Sequence, residues 1–307
     1  MFRPQGVYPA MLTPFEDDGR INESELRRLT EFGIERGLHG LFPVSSIGEG
    51  IHMSFEEKCR CMDIVFDQAK GRVPVTPGIV ASAPDECIRL AHHAEDLGCA
   101  GVVATPPYYY KPAAPMVERF FETILEQTDI PLILYNIPLF VQPLDYDTVK
   151  RLSRYGNVVG MKDSSGSMVD FLHFKDKIKI AGADVNMLTG REENLLASLA
   201  MNGKGCMTAS AGIFPEIMVG IWDQYHAGNM DEARRLQESL LVLIRTMFAV
   251  ALPVGFKLGL ELRGFKMGPA KLPLSHADAF QVSTVRSRLR MLMEPVLAEF
   301  GEATVDA

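Results

Sequence analysis

The chain is short of cysteine, of clustered basic residues and of long apolar runs, and each shortage removes a class of function. Its five cysteines, Cys59, Cys61, Cys87, Cys99 and Cys206, form an odd, scattered set without the paired spacings of a zinc site or a disulfide framework. They read as reduced thiols. Cys59 and Cys61 fall inside a helical pattern, where residues two apart face different sides, so they are not expected to share a metal. With 31 Lys and Arg against 39 Asp and Glu, the net charge is -8 and no basic run occurs, which argues against nucleic acid or an acidic membrane surface as partner. The longest apolar stretches, Leu132 to Tyr135 and Leu240 to Leu252 with Arg245 and Thr246 inside it, are too short or too interrupted to cross a bilayer. The opening residues Met1 to Gly6 lack the apolar segment of a secretory leader, so a cytoplasmic protein is expected.

What is present is a globular composition, 47% apolar and 23% charged over 307 residues, enough for a large core. Eight short apolar or β-branched runs recur: Val7 to Leu12, Gly40 to Val44, Val73 to Ile79, Gly101 to Ala104, Leu132 to Tyr135, Val158 to Met161, Ile178 to Ala181 and Gly205 to Thr208. Between them lie segments of helical period. Asn22 with Glu25, and Ser54 with Glu57, have capping-box spacing, and Gly37, Gly71, Gly98 and Gly203 stand where the helices should stop. Strand and helix alternate throughout. Eight such units, with no GxGxxG or Walker motif, predict an α/β protein with a (β/α)8 TIM barrel over residues 1–226. The periodic segments Met230 to Ala251 and Val282 to Phe300 predict a C-terminal helical extension over 227–307, packed on the barrel.

In a barrel, chemistry gathers at the C-terminal ends of the strands. Lys162 ends the run Val158 to Met161 and precedes Asp163, Ser164, Ser165 and Gly166. Partial desolvation at a strand exit disfavours its ammonium form and leaves an amine able to attack a carbonyl, whereas a lysine just past a strand can also be a solvated loop residue. Tyr135 ends the neighbouring strand, either as a core aromatic or as a phenol passing protons to a lysine adduct. Ser45 and Ser46, before Ile47, Gly48 and Glu49, read as turn caps or as a cradle for a carboxylate. Glu49 is expected to be structural, because it would repel an acidic substrate. The proline-bounded run Tyr108, Tyr109, Tyr110 is expected to be a fixed loop, and its rings could serve a subunit contact. Gly190 to Glu193 follow the seventh run, where Glu192 and Glu193 can open a helix and favour its dipole. None of the seven histidines falls at a strand exit, which weakens a histidine- or metal-based mechanism.

Together these residues resemble the dihydrodipicolinate synthase and N-acetylneuraminate lyase family, from about Gly6 to Phe214. Tyr135-Asn136-Ile137-Pro138 is similar to the family's YN[IV]P, Gly160 to Asp163 to its G[IVM]K[DEQ], and Ser45 to Glu49 to its GTTGE turn. The resemblance implies that Lys162 forms an imine, Tyr135 shuttles protons, Ser46 relays protons and helps hold a carboxylate, and Tyr109 reaches into a neighbouring subunit's site. It also implies a homotetramer built as a dimer of dimers. Ser45, Ile47, Phe140, Gly190, Glu192, Glu193 and Met207 make up the expected substrate-contacting set. Two departures bear on the substrate. Ile47 replaces a hydroxyl residue, and Phe140 stands where the synthases carry an arginine for the second substrate's carboxylate. Gly190 followed by acidic residues is closer to the neuraminate lyases, and that likeness implies that Glu192 and Glu193 accept hydrogen bonds from sugar hydroxyls.

The expected activity is therefore that of a class I lyase joining or splitting pyruvate and an aldehyde, with a 2-oxo-3-deoxy sugar acid or an N-acetylneuraminate-like compound as substrate. The alternatives are 4-hydroxy-tetrahydrodipicolinate synthase, a dehydratase or deaminase of the same family, and, in another class, a non-catalytic 2-oxo acid sensor. No cofactor or metal is expected, since a lysine imine polarises the substrate as a metal would.

Overall fold

The computed structural model describes residues 2–305; Met1, residues 306–307 and the side chains of His276 and Ala277 lie outside the described residues. In chain order the elements are β1 (Gly6–Pro9), α1 (Glu23–Glu35), α2 (Phe55–Ala69), α3 (Pro84–Leu97), β2 (Val102–Ala104), α4 (Ala114–Leu125), β3 (Leu132–Asn136), α5 (Tyr146–Leu152), β4 (Val158–Asp163) and α6 (Met168–Ile180). Then follow β5 (Asn186–Thr189), α7 (Leu195–Ala200), β6 (Gly205–Thr208), α8 (Pro215–His226), α9 (Met230–Met247), α10 (Val254–Leu262) and α11 (His276–Ala298). The strands form one parallel sheet in the order β1-β6-β5-β4-β3-β2.

Six of the eight expected strands are therefore formed as strands, one of them displaced. The runs Gly40 to Val44 and Val73 to Ile79 meet the sheet only at single parallel bridges, Ala10 to Phe42, Leu41 to Val75 and Gly78 to Val103. Pro43, Pro74 and Pro77 remove the backbone donors that a continuous ladder needs there. The bridges nevertheless link the β1 end of the sheet to β2, so the sheet curls.

The seventh expected strand is misplaced. Ile178 to Ala181 closes α6, in which Phe171, Phe174 and Ile178 are buried at helical spacing. The strand lies at Asn186–Thr189, with the polar Asn186 masking its start. At the caps, Ser54 and Glu57 complete a capping box. Asn22 caps α1, but the Glu25 carboxylate turns instead to Arg28 and the Lys266 N–H, so no box forms. Gly98 ends α3 with φ 88°. Near Gly203 the left-handed residue is Asn202.

Side chains alternate across the pleat. Tyr8, Phe42, Val103, Ile133, Tyr135, Leu188 and Met207 fill the interior of the curled sheet. Leu132, Leu134, Met161 and Met187 face the helices. Beyond β6, helices α8 to α11 share an apolar cluster in which Val285, Leu289, Met293 and Leu297 of α11 recur every fourth residue. Helix α10 was not foreseen. None of the five cysteines is disulfide-bonded. Among the described residues, no helix is long and apolar enough to cross a membrane.

Candidate active site

Strands β3 and β4 position the reactive pair. Their register shifts by one residue after Leu132, which pairs with Val158, while Ile133 pairs with Gly160. Without that irregularity Tyr135 would face Met161; with it, Tyr135 is the direct neighbour of Lys162. Gly160 permits this crowding, since a Cβ there would lie 2.7 Å from Pro4 Cγ. The two inward side chains meet closely, with Lys162 Nζ 3.9 Å from the Tyr135 ring centroid and 4.8 Å from that of Phe42. Lys162 is only 3% exposed. Among the described residues no carboxylate lies within salt-bridge distance of its amine.

One residue further on, the side chains point away from the interior and brace the pair. Asn136 Nδ2 donates to Asp163 Oδ1 (2.8 Å), and Asn136 Oδ1 accepts from the Leu144 N–H (3.0 Å). Asp163 also accepts from the N–H and hydroxyl of Ser165. Burial is the main influence raising the Asp163 pKa, opposed by those hydrogen bonds. Asp163 is thus a cross-strand brace beneath the lysine.

Above the pair opens a cavity of about 370 Å³ whose lining includes Lys162, Tyr135, Ser46, Ile47, Phe140, Gly190, Glu192 and Met207. Gly190 is required by space. A Cβ there would stand 1.9 Å from Ser164 Oγ and 2.7 Å from Lys162 Cε. Three expected site residues do not line the cavity. Ser45 is fully buried, donating to the Met11 carbonyl and accepting from the Gly48 N–H, so its hydroxyl is spent in building the turn. Glu193 lies outside the lining and faces Arg191 at 3.5 Å. Tyr109 is 90% exposed, with φ 80°, a strained left-handed conformation for a tyrosine. Glu192 reaches the cavity wall, but its Oε1 accepts from the Ser210 N–H and burial raises its pKa. Glu192 and Glu193 open a short 3-10 turn ahead of α7.

Glu49 holds the serine turn rather than a substrate. Its carboxylate makes a buried ion pair with Lys257 of α10 (2.9 Å) and accepts from the Lys271 N–H (2.7 Å). Burial pulls the Lys257 pKa down, with Glu49 working against it.

Several lining residues were not singled out from sequence. Ser164 places its hydroxyl 3.5 Å from the Tyr135 phenol; it was visible after Lys162 but read as loop. Thr105, the residue after β2, carries a buried hydroxyl with no hydrogen-bond partner among the described residues. Tyr108, rather than Tyr109, lines the cavity, and burial raises its pKa. Arg191 brings a cation to the wall, and His52 an imidazole. Phe248, Leu252 and Phe256 arrive from the C-terminal helices, and no motif marks them.

The model of the dihydrodipicolinate synthetase family matches residues 3–291. A 4-hydroxy-tetrahydrodipicolinate synthase from Acidiphilium cryptum is 36% identical over 271 residues, 88% of this chain and 92% of the relative. Among solved structures, that of YagE, a prophage protein of the dihydrodipicolinic acid synthase family from E. coli K12 in complex with pyruvate, superposes with TM-score 0.88. Its identity is 27%, covering 94% of this chain and 98% of that one. A 2-keto 3-deoxygluconate aldolase from Picrophilus torridus, 24% identical, shares the fold with TM-score 0.81 over 87% of this chain and 96% of its own.

Proposed function

We propose, from the premise that this chain belongs to the dihydrodipicolinate synthetase family and is a class I lyase working through a lysine Schiff base, that Lys162 is that lysine and Tyr135 its proton-transfer partner. The supporting observation is the register-enforced contact between the Lys162 amine and the Tyr135 ring inside the cavity. The amine of Lys162 attacks the C2 ketone of a 2-oxo acid, and loss of water, its leaving hydroxyl protonated by the Tyr135 phenol, leaves an iminium that withdraws electrons from C3 and a Tyr135 phenolate. In the cleavage direction Tyr135 takes the C4 hydroxyl proton as the C3–C4 bond breaks, leaving an enamine and an aldehyde. Protonation at C3 and hydrolysis then release pyruvate. Ser46 and Ile47 line the same cavity, and their backbone N–H groups have no acceptor among the described residues, so a substrate carboxylate can take these two donors and the Ser46 hydroxyl. The two bridged segments at residues 40–44 and 73–79 complete a ring of eight around the site, and Tyr109 docks against a second copy of the chain.

The carboxylates expected to receive sugar hydroxyls are engaged elsewhere, Glu192 by Ser210 and Glu193 by Arg191. A second reading, dihydrodipicolinate synthesis, is favoured by Arg191, a cation on the cavity wall that could take over the carboxylate of the second substrate. The common core of both readings is tested without any aldehyde. In D2O, wild type should exchange the methyl protons of pyruvate, Lys162→Ala should not, and Tyr135→Phe should be slower by roughly 100-fold or more. Exchange undiminished in Lys162→Ala rejects the assignment.

A further inference from the structure

We infer that the aldehyde handled by this site carries an apolar, aryl-type group rather than a polyhydroxylated or carboxylate-bearing chain; this rests on the lyase reading above. The cavity is polar at its floor and apolar at its rim. At the floor, Lys162, Tyr135, Ser46, Thr105 and Ser164 supply an amine and four hydroxyls, a set matched to a short 2-oxo acid. The rim is made by Leu139 and Phe140 after β3, Phe248 and Leu252 after α9, and Leu272, with the buried Phe256 of α10 in the wall. Leu139, Phe140 and Leu272 are 61%, 51% and 58% exposed, so this is apolar surface left open to an incoming group.

Beyond His52 and Tyr108, which also line the cavity, the charged groups of the wall are engaged. Glu49 is held by Lys257, and one Glu192 oxygen by Ser210. Arg191 faces Glu193, and its guanidinium lies 5.2 Å from the Phe248 ring centroid. The several hydroxyls of a sugar chain would leave water at this rim with fewer replacement partners than they need. An aryl ring would instead bury its faces against Phe140 and Phe248.

The chemistry balances without another reagent. The C3 carbon of the Lys162 enamine forms a bond to the aldehyde carbon, and the carbonyl π pair moves to oxygen, which takes the Tyr135 phenolic proton. The nitrogen lone pair restores the iminium. Water then adds at C2, one of its protons returning to the Tyr135 phenolate, and the carbinolamine releases a 4-hydroxy-2-oxo acid substituted at C4 by the aryl group together with the free amine; cleavage is the reverse.

The test supplies pyruvate with benzaldehyde, D-glyceraldehyde or aspartate semialdehyde, and follows consumption of each aldehyde. Benzaldehyde should have a kcat/KM at least tenfold above either competitor, and Phe140→Arg should lower that ratio at least tenfold in favour of aspartate semialdehyde. Preference for either competitor, consumption of none of the three, or a ratio unmoved by Phe140→Arg overturns the inference. Borohydride trapping of pyruvate on the same preparation separates the two levels. An adduct on Lys162 with the wrong aldehyde preference defeats the aryl assignment alone, and absence of an adduct defeats the lyase reading with it.

Discussion

Replacing Gly190 by alanine adds one methyl group where the site has no room. The new Cβ would lie 1.9 Å from Ser164 Oγ, 3.1 Å from Ser164 Cβ and 2.7 Å from Lys162 Cε, against the 3.5–4.0 Å at which carbon atoms rest. Backbone retreat is resisted, because the Gly190 N–H donates to the Asp163 carbonyl at 2.7 Å and ties β5 to β4. Gly190 is not in the left-handed region, so alanine meets no backbone penalty and the effect is purely steric. Ser164 can swing its hydroxyl aside, but Lys162 Cε must move by roughly an ångström to reach ordinary contact. Overpacking of this kind costs about 1–3 kcal/mol of stability, while a misplacement of about 1 Å at the reacting group costs about a hundredfold in rate. Gly190→Ala should therefore melt slightly early and lose about two orders of magnitude in kcat. Adding Ser164→Gly should recover the melting temperature more than the rate, since it removes the serine clashes and leaves the lysine clash. Steady-state aldol kinetics and thermal melts on the single and double variants decide the matter. A near-normal kcat in Gly190→Ala would mean that the Lys162 side chain does not work from the position beside Gly190.

Two further outcomes follow from the buried charges. Lys257→Met leaves the Glu49 carboxylate buried without its cation and should cost about 3–5 kcal/mol, read by urea denaturation, with Glu49→Gln in the same chain recovering part of the loss. Burial raises the Glu192 pKa above 4.5 in the native chain, so the native state holds that proton more tightly than the unfolded state and ionisation at neutral pH costs stability. Glu192→Gln, which still accepts from the Ser210 N–H, should be more stable than wild type at pH 7. The gap should narrow as pH falls toward 4.5, and melting curves between pH 5 and 8 that run parallel would contradict this.

Much of the site is legible in the sequence because its decisive residues sit at strand ends. Tyr135 and Lys162 each close an apolar run, and period-two alternation sends both to the interior. Their direct pairing was not legible, because it depends on a one-residue register shift that neither strand records by itself. The weak second and third strands were hidden by prolines that look tolerable in a short run but remove ladder donors. Ile178 to Ala181 mimicked a strand because the last turn of α6 alternates isoleucine with lysine, whereas β5 begins on an asparagine. The Gly190 loop therefore follows Asn186–Thr189 and not the expected strand at Ile178 to Ala181. Glu193 and Ser45 looked like ligands from their types alone. Only the fold reveals that Arg191 faces the first and that the turn itself consumes the second. The apolar rim was the least legible part, since Phe248, Leu252 and Phe256 lie more than eighty residues after Lys162, in the α9–α10 turn and on α10, with no chemical motif.

The assignment of Lys162 as the imine-forming nucleophile is tested most directly by reducing the enzyme with borohydride in the presence of pyruvate and mapping the product by peptide mass. The adduct should appear on the peptide carrying Lys162 in wild type and be missing in Lys162→Ala. An adduct on another lysine, or none in wild type, contradicts the account.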